Sequence, residues 1–172
     1  MAQACASCVP PAENPGLKLG ATLGELAHYG RDKVTFLVPE TISTLGMWLE
    51  QLLAESTGKD GTGLLPVAGE PVGEPNVYGN DRLFVSIQLE DEVDQRLEKS
   101  VARLRRAGQP VVSIQLAGRL DLGQEFFRWE IATATAGASP FANPSYSPIA
   151  RAPAAVAHAA TYAIAVMPTN DI

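Results

Sequence analysis

Apolar positions recur along the first 136 residues in two alternating rhythms. Leu19, Leu23 and Leu26 recur at helical spacing behind Asn14-Pro15, an N-cap followed by proline at the first helical position, and Gly30 can close that helix. Lys33 to Val38 is a compact β-branched and aromatic run, predicted as a buried strand. A second helix is predicted from about Ile42 to Ser56 on Leu45, Trp48, Leu52 and Leu53. Gly58, Gly61 and Gly63 then break the chain before the short apolar stretch Leu64 to Val67.

The Gly/Pro-rich segment from Ala68 to Asp81 is expected to be an ordered loop, and Arg82 to Leu89 a strand. A helix is predicted from Glu92 through Ala107, with Val93, Leu97, Val101 and Leu104 on one face, acids in its first turn and arginines in its last. Val111 to Leu116 is predicted as a strand. Leu122 to about Ala136 is predicted as a helix, with Leu122, Phe126 and Trp129 inward. Such alternation predicts an α/β fold: a three-layer parallel sheet with helices on both faces, whose ligands bind at the carboxyl ends of the strands.

Composition changes the picture at the far end. Residues 1–130 hold 30 of the 32 charged side chains, whereas residues 131–172 hold only Arg151 and Asp171, with 14 alanines and 5 prolines. The chain is therefore divided into a body, 1–136, and an Ala/Pro-rich C-terminal tail, 137–172, expected to be weakly ordered. A net charge of −6 argues against a nucleic-acid partner, which needs clustered positive surface. No run of about 20 apolar residues suggests a membrane span, and Ala154 to Met167 is interrupted by His158. With no signal-like N-terminus, the expectation is a soluble cytoplasmic protein.

Candidate chemistry is sparse. Cys5-Ala-Ser-Cys8 has C-x-x-C spacing but lacks a second ligand pair, and His28 and His158 are remote, so neither a metal nor a redox site is expected. In Ser56 to Gly63, Asp60 follows Lys59 where a phosphate loop needs Ser or Thr, and the glycines follow a helix instead of preceding one. Glu55 is the most interesting ionisable group. Its spacing after Trp48 and Leu52 allows partial burial near a helix C-terminus, which would raise its pKa toward that of a useful base. Spacing alone equally allows, and favours, a frayed helix end with Glu55 in solvent.

Several blocks carry a resemblance. Trp48-Leu-Glu-Gln-Leu-Leu-Ala-Glu-Ser-Thr-Gly-Lys59 resembles the Glu-Ser-Asn-Gly-Lys segment of glucose-6-phosphate isomerases. Gly69 to Pro75, Tyr78 to Val85 and Asp121 to Glu130 are similar to the bacterial branch in which this isomerase is fused behind a transaldolase. The resemblance spans about residues 9 to 144 and corresponds to the second sugar-isomerase subdomain. It implies aldose–ketose isomerisation of glucose 6-phosphate to fructose 6-phosphate through a cis-enediol, with Glu55 as the catalytic base. It further implies a sugar-phosphate substrate and no cofactor, and it is compatible with a homo-oligomer.

The family's phosphate-holding Ser/Thr loop belongs to the first subdomain, expected upstream of Met1, so the chain alone is expected to be inactive. His28 is expected to be an ordinary helix-end histidine. Ser139-Pro-Phe-Ala-Asn-Pro144 and Arg151 stand where the family has an Asn-Pro-Phe-Asp-Gln-Pro block and a lysine, and arginine cannot replace lysine as a tunable proton donor. The alternative expectation is a non-catalytic sugar-phosphate-binding or assembly module that keeps the fold.

Overall fold

The structure, a computed structural model, describes residues 1–58 and 61–138. The expected weak order of the tail, the Ser139–Pro144 block, Arg151 and His158 therefore lie outside the described residues, as do Lys59 and Asp60.

Helix α1 (Pro15–His28) begins where its sequence signal lies: the Asn14 side chain accepts hydrogen bonds from the backbone N–H groups of Gly16 and Leu17, at 3.1 and 3.0 Å. It ends at Gly30, whose φ of 86° is a left-handed conformation that closes a helix without steric cost only for glycine. Strand β1 (Lys33–Leu37) follows, then a single 3-10 turn (Glu40–Ile42) and helix α2 (Ser43–Thr57). The three-residue strand β2 (Leu65–Val67) leads into the long loop. Strand β3 (Arg82–Leu89), helix α3 (Gln95–Arg106), strand β4 (Val111–Leu116) and helix α4 (Leu122–Gly137) complete the order.

All four strands are parallel, in the order β2-β1-β3-β4. Strand β3 is central and buried over seven of its eight positions, which explains its near-continuous apolar run. Alternate residues of the strands sort into two hydrophobic clusters. Val34 and Phe36, then Leu83, Val85, Ile87 and Leu89, then Val112, Ile114 and Leu116 join the buried stripes of α1, α2 and α4. Leu37, Phe84 and Val111 join Leu97, Val101 and Leu104 of α3, with Val72 and Tyr78 from the loop. Handedness accounts for the division. The β1–α2–β2 and β3–α3–β4 crossovers step in opposite directions along the sheet, so two right-handed connections send α2 and α3 to different clusters.

Three sequence expectations need correction. Helix α3 starts at Gln95 rather than Glu92, because the Asp94 carboxylate accepts from the N–H groups of Arg96 and Leu97 and so fixes the cap. Val93 consequently precedes the helix and is 53% exposed instead of lying on its apolar face. Phe126 is only partly covered, at 39% exposure, and packs edge-on against Trp48 at 4.5 Å. Trp129 is fully buried, edge-on to Phe36 at 5.4 Å, and Leu122 packs partly buried against the core, as expected; Glu125, Ala132, Thr133 and Ala136 complete the inward stripe of α4.

Helices α1 and α4 approach unusually closely. Gly16 and Gly20 face Ile131, Ala132 and Thr135; a Cβ at Gly20 would stand 2.3 Å from the Ala132 carbonyl oxygen. Only the absence of side chains there lets the backbones meet.

The Ala68–Asp81 loop is ordered by its own polar groups, as expected. Tyr78 Oη accepts from the Gly73 N–H at 2.7 Å, Arg82 donates to Glu70 at 2.7 Å and to Thr35 at 2.6 Å, and Glu74 pairs with Arg103 of α3. The Glu50 carboxylate of α2 accepts from the Ala68 N–H at 2.7 Å, anchoring the loop's first residue.

Candidate functional site

Helix α2 runs back against the strands, so its last turn lies at the amino edge of the sheet, where β1 and β2 begin. Its buried residues are Leu45, Gly46, Leu49, Leu53 and Thr57, an i, i+4 stripe on which Glu55 does not fall. Trp48 and Leu52 flank that stripe as partly buried side chains. Glu55 is exposed. Of the two placements allowed by its spacing, the solvent-facing one is observed, and the partial burial that would have tuned it is not.

The turn after Glu55 is nonetheless well built. Thr57 Oγ1 donates to the Leu53 carbonyl at 2.7 Å and accepts from the Leu64 N–H at 3.1 Å, tying the end of α2 to the entry of β2. Close by in the fold, the first residue of β1 is pinned: Lys33 Nζ lies 3.0 Å from Asp32 and 3.1 Å from Asp81. Those hydrogen bonds raise the Lys33 pKa and lower that of Asp81. The segment from Ser56 to Gly63 follows helix α2, and the next described element is strand β2.

The carboxyl ends of the strands are the place where a sheet of this topology ordinarily binds ligands, at the switch point between β1 and β3. This end carries the acidic run after β3. Within it Glu92 receives Arg119 at 2.8 and 3.2 Å and Asp94 caps α3, while Gly118 passes so close to Asp91 that a Cβ there would meet Oδ2 at 2.8 Å. Asp121 Oδ2 accepts from the Ala117 N–H at 3.1 Å and so fixes the β4–α4 turn. The two site expectations thus fall at opposite edges of the sheet: Glu55 at the amino edge, the topological rule at the carboxyl edge.

One ionisable residue at the carboxyl end escaped the sequence reading. Glu125, in the first turn of α4, is completely buried; neither carboxylate oxygen has a hydrogen-bond partner, and Arg128 Nη2 lies 3.2 Å away. Burial raises its pKa, the Arg128 charge and the Trp129 indole N–H oppose that rise, and Asp121 adds a smaller push upward. The available signal was its position one turn before Trp129, on the inward stripe. Thr133 Oγ1, farther along that stripe, is also buried without a partner among the described residues.

The remaining candidates separate cleanly. His28 is exposed at the end of α1, edge-on to Tyr29 at 5.7 Å. Cys5 is buried and Cys8 exposed, both as free thiols, and among the described residues no group of three or more His, Cys, Asp or Glu side chains is placed to hold a metal. Glu70, Glu74 and Arg82, which lie in the family-like blocks, are spent on ordering the loop. No helix among the described residues is long and apolar enough to cross a membrane.

Fold and site together define an open, all-parallel α/β domain with an exposed carboxylate at its amino edge. No known protein-family model matches the chain, and no solved structure matches it.

Proposed function

We propose that the chain is a sugar-isomerase subdomain of the glucose-6-phosphate isomerase class, of the type fused behind a transaldolase, with Glu55 as its base. The observation that carries this reading is the Trp48–Lys59 block: its glutamate ends a helix at an open edge of a parallel sheet, presented to whatever docks there. A three-layer arrangement, a cytoplasmic location and a sugar-phosphate substrate belong to the same proposal.

The chemistry needs little else. The Glu55 carboxylate removes the proton from C2 of the open-chain aldose while O1 takes up a proton to give the enediol; O2 then releases its proton as the carbonyl forms at C2, and the Glu55 carboxyl returns its proton to C1. No electrons leave the substrate, so no cofactor is required. Abstracting a weakly acidic C–H asks for a base held against the substrate and away from water. Exposed as it is, Glu55 needs a second surface over it, the role assigned here to the phosphate-holding subdomain.

The exposure of Glu55 also favours a second reading, a sugar-phosphate-binding or assembly module without turnover. One experiment divides them: fructose 6-phosphate formation is measured for the chain alone and mixed with the upstream subdomain of a transaldolase-fused isomerase. The catalytic reading expects activity only in the mixture, and a fall of about 10²–10⁴-fold in Glu55→Gln. Sugar-phosphate binding with no turnover in the mixture supports the module, and full activity in the Glu55→Gln mixture removes Glu55 from the reaction.

A further inference from the structure

Helix α3 carries more positive charge than its place in the fold explains. Its buried stripe, Leu97, Val101 and Leu104, packs on Leu37, Phe84 and Val111, a cluster that no other described helix joins. The opposite side of α3 faces solvent. There Arg96, Lys99, Arg103 and Arg106 recur at i, i+3, i+7 and i+10, which sets four cations in one line along the helix. Arg96, Lys99 and Arg106 are exposed, and among the described residues their side chains have no hydrogen-bond or ion-pair partner. Arg103 is engaged, with Glu74 of the loop and with Ser100.

The needs of the helix do not account for this line. A helix dipole favours cations in the last turn, where Arg103 and Arg106 lie, but disfavours them in the first, where Arg96 lies. Neighbours along the line are three or four residues apart, so each adjacent pair repels and slightly weakens the helix. Nor is there a general excess of positive charge to distribute, since the chain has a net charge of −6. The fold thus carries a local repulsion that a matching anionic partner reverses. Glu74 shows the match in miniature: a carboxylate from outside the helix seats on the line.

We propose that the outer line of α3 docks an acidic helical segment of a partner protein, whose Asp and Glu side chains recur every three or four residues on one face. Spacing decides between partner shapes. The four cations rise in steps of about 4.5–6 Å over roughly 15 Å of helix. Carboxylates three or four residues apart on a second helix rise by the same steps, so four contacts stay in register. On an extended segment, alternate side chains stand about 6.6–6.8 Å apart, and the fourth contact falls about 5 Å out of step. The three arginines meet carboxylates with paired N–H groups, and Lys99 adds a point charge. A membrane surface suits the line less well, because the apolar stripe of α3 is already taken up in the core. A long polyanion meets the chain's overall negative charge.

The test uses the full chain and the labelled peptide Ac-Ala-Ala-Gln-Glu-Ala-Ala-Glu-Ala-Gln-Ala-Glu-Ala-Ala-Glu-Ala-Gln-Ala-NH2, whose glutamates line one helix face. In one control the second and fourth glutamates are each exchanged with the residue before them, which spreads the charge over two faces. In the other, lysines replace all the glutamates. The face-matched peptide is expected to bind more tightly than either control in low salt, to shift the amide resonances of α3, and to weaken as salt rises. Arg96→Gln combined with Lys99→Gln removes two exposed pairs and should weaken binding roughly tenfold. The unfolding midpoint of that variant should hold or rise, because repulsion along the helix is relieved. Glu74→Gln frees Arg103 and should tighten binding, whereas Arg105→Gln, off the line where it bonds Ser113, should matter far less than the double variant. Equal binding of the two glutamate peptides, no binding, or indifference to the double variant overturns the proposal. Tighter binding of a single-stranded oligonucleotide or of phosphatidylserine vesicles than of the face-matched peptide also overturns it, and assigns the line to those anions instead.

Discussion

Placing a methyl group at residue 20 tests the close approach of α1 and α4. By helix propensity alone, Gly20→Ala in the middle of α1 should stabilise the chain by about 0.5–1 kcal/mol. Packing opposes this. The new Cβ would lie 2.3 Å from the Ala132 carbonyl oxygen, 2.6 Å from Thr135 Cβ and 2.9 Å from the Ala132 carbonyl carbon, where real Cβ atoms essentially never come within 3.0 Å. Two of these three atoms are backbone, so no side-chain rotation relieves the contact, and α1 must back away from α4 by roughly 0.7 Å or more. Separation also loosens the Leu19, Leu23 and Leu26 stripe against Trp129, Ala132 and Ala136. Overpacking of this kind costs about 1–3 kcal/mol, so the net change should be destabilising by about 1–2 kcal/mol. The assay is urea unfolding followed by far-UV circular dichroism, with Gly123→Ala in α4 as the partner variant, since nothing lies within 4 Å of a Cβ there. Gly123→Ala should match or slightly exceed the parent midpoint. A Gly20→Ala midpoint at or above the parent's would refute the close approach.

Glu125 predicts an unusual pH profile. Its folded pKa is raised, so the unfolded chain gives up the proton first, and stability should fall as pH rises from the carboxylate's ordinary value near 4.5 toward neutrality. Glu125→Gln should flatten that decline in unfolding free energy measured across the same range, and an unchanged slope would show that Glu125 does not titrate there. Glu50→Ala should release Ala68 and speed amide exchange through the loop that follows, at a stability cost of about 1–2 kcal/mol for the lost charge-assisted bond; unchanged exchange would mean that the loop holds itself. Cys8→Ser should leave the unfolding midpoint unmoved because the side chain is exposed, whereas Cys5→Ser, buried with Sγ 3.2 Å from a Cβ position at Gly16, should lower it slightly. Equal effects of the two changes would contradict that packing.

The sequence made the framework legible because caps and periodicity are local. Asn14 and the β3 and β4 runs lie where the pattern placed them, to the residue in both strands. The misjudged features were settled by alternatives that are themselves local but compete. At the start of α3, Asp94 offers a better cap than any residue before Glu92, and Val93 is left outside. On α4 the stripe that runs from Leu122 through Trp129 to Ala136 could be widened toward Phe126 or toward Glu125, and the observed packing takes the Glu125 side. That choice carries Glu125 inward, a burial no rule about charged residues would suggest. Glu55 was singled out by its neighbours in sequence, while its exposure depends on which side of α2 meets the sheet.

The pairing of α1 with α4 joins the first helix of the chain to the last one described. Nothing made between them offers α1 the same backbone-close surface, so its glycine face waits until Ala132 and Thr135 exist. At ordinary rates of protein synthesis, making the intervening stretch takes on the order of ten seconds. Throughout that interval Leu19, Leu23 and Leu26 belong to a nascent segment whose permanent neighbours are only partly present. Closing so long a span is also what slows folding, because the entropy of bringing the two helices together is lost before their contact returns anything. The nascent chain should therefore recruit holding chaperones at α1 and release them as α4 is completed, which makes α4 the step that commits the domain to its fold.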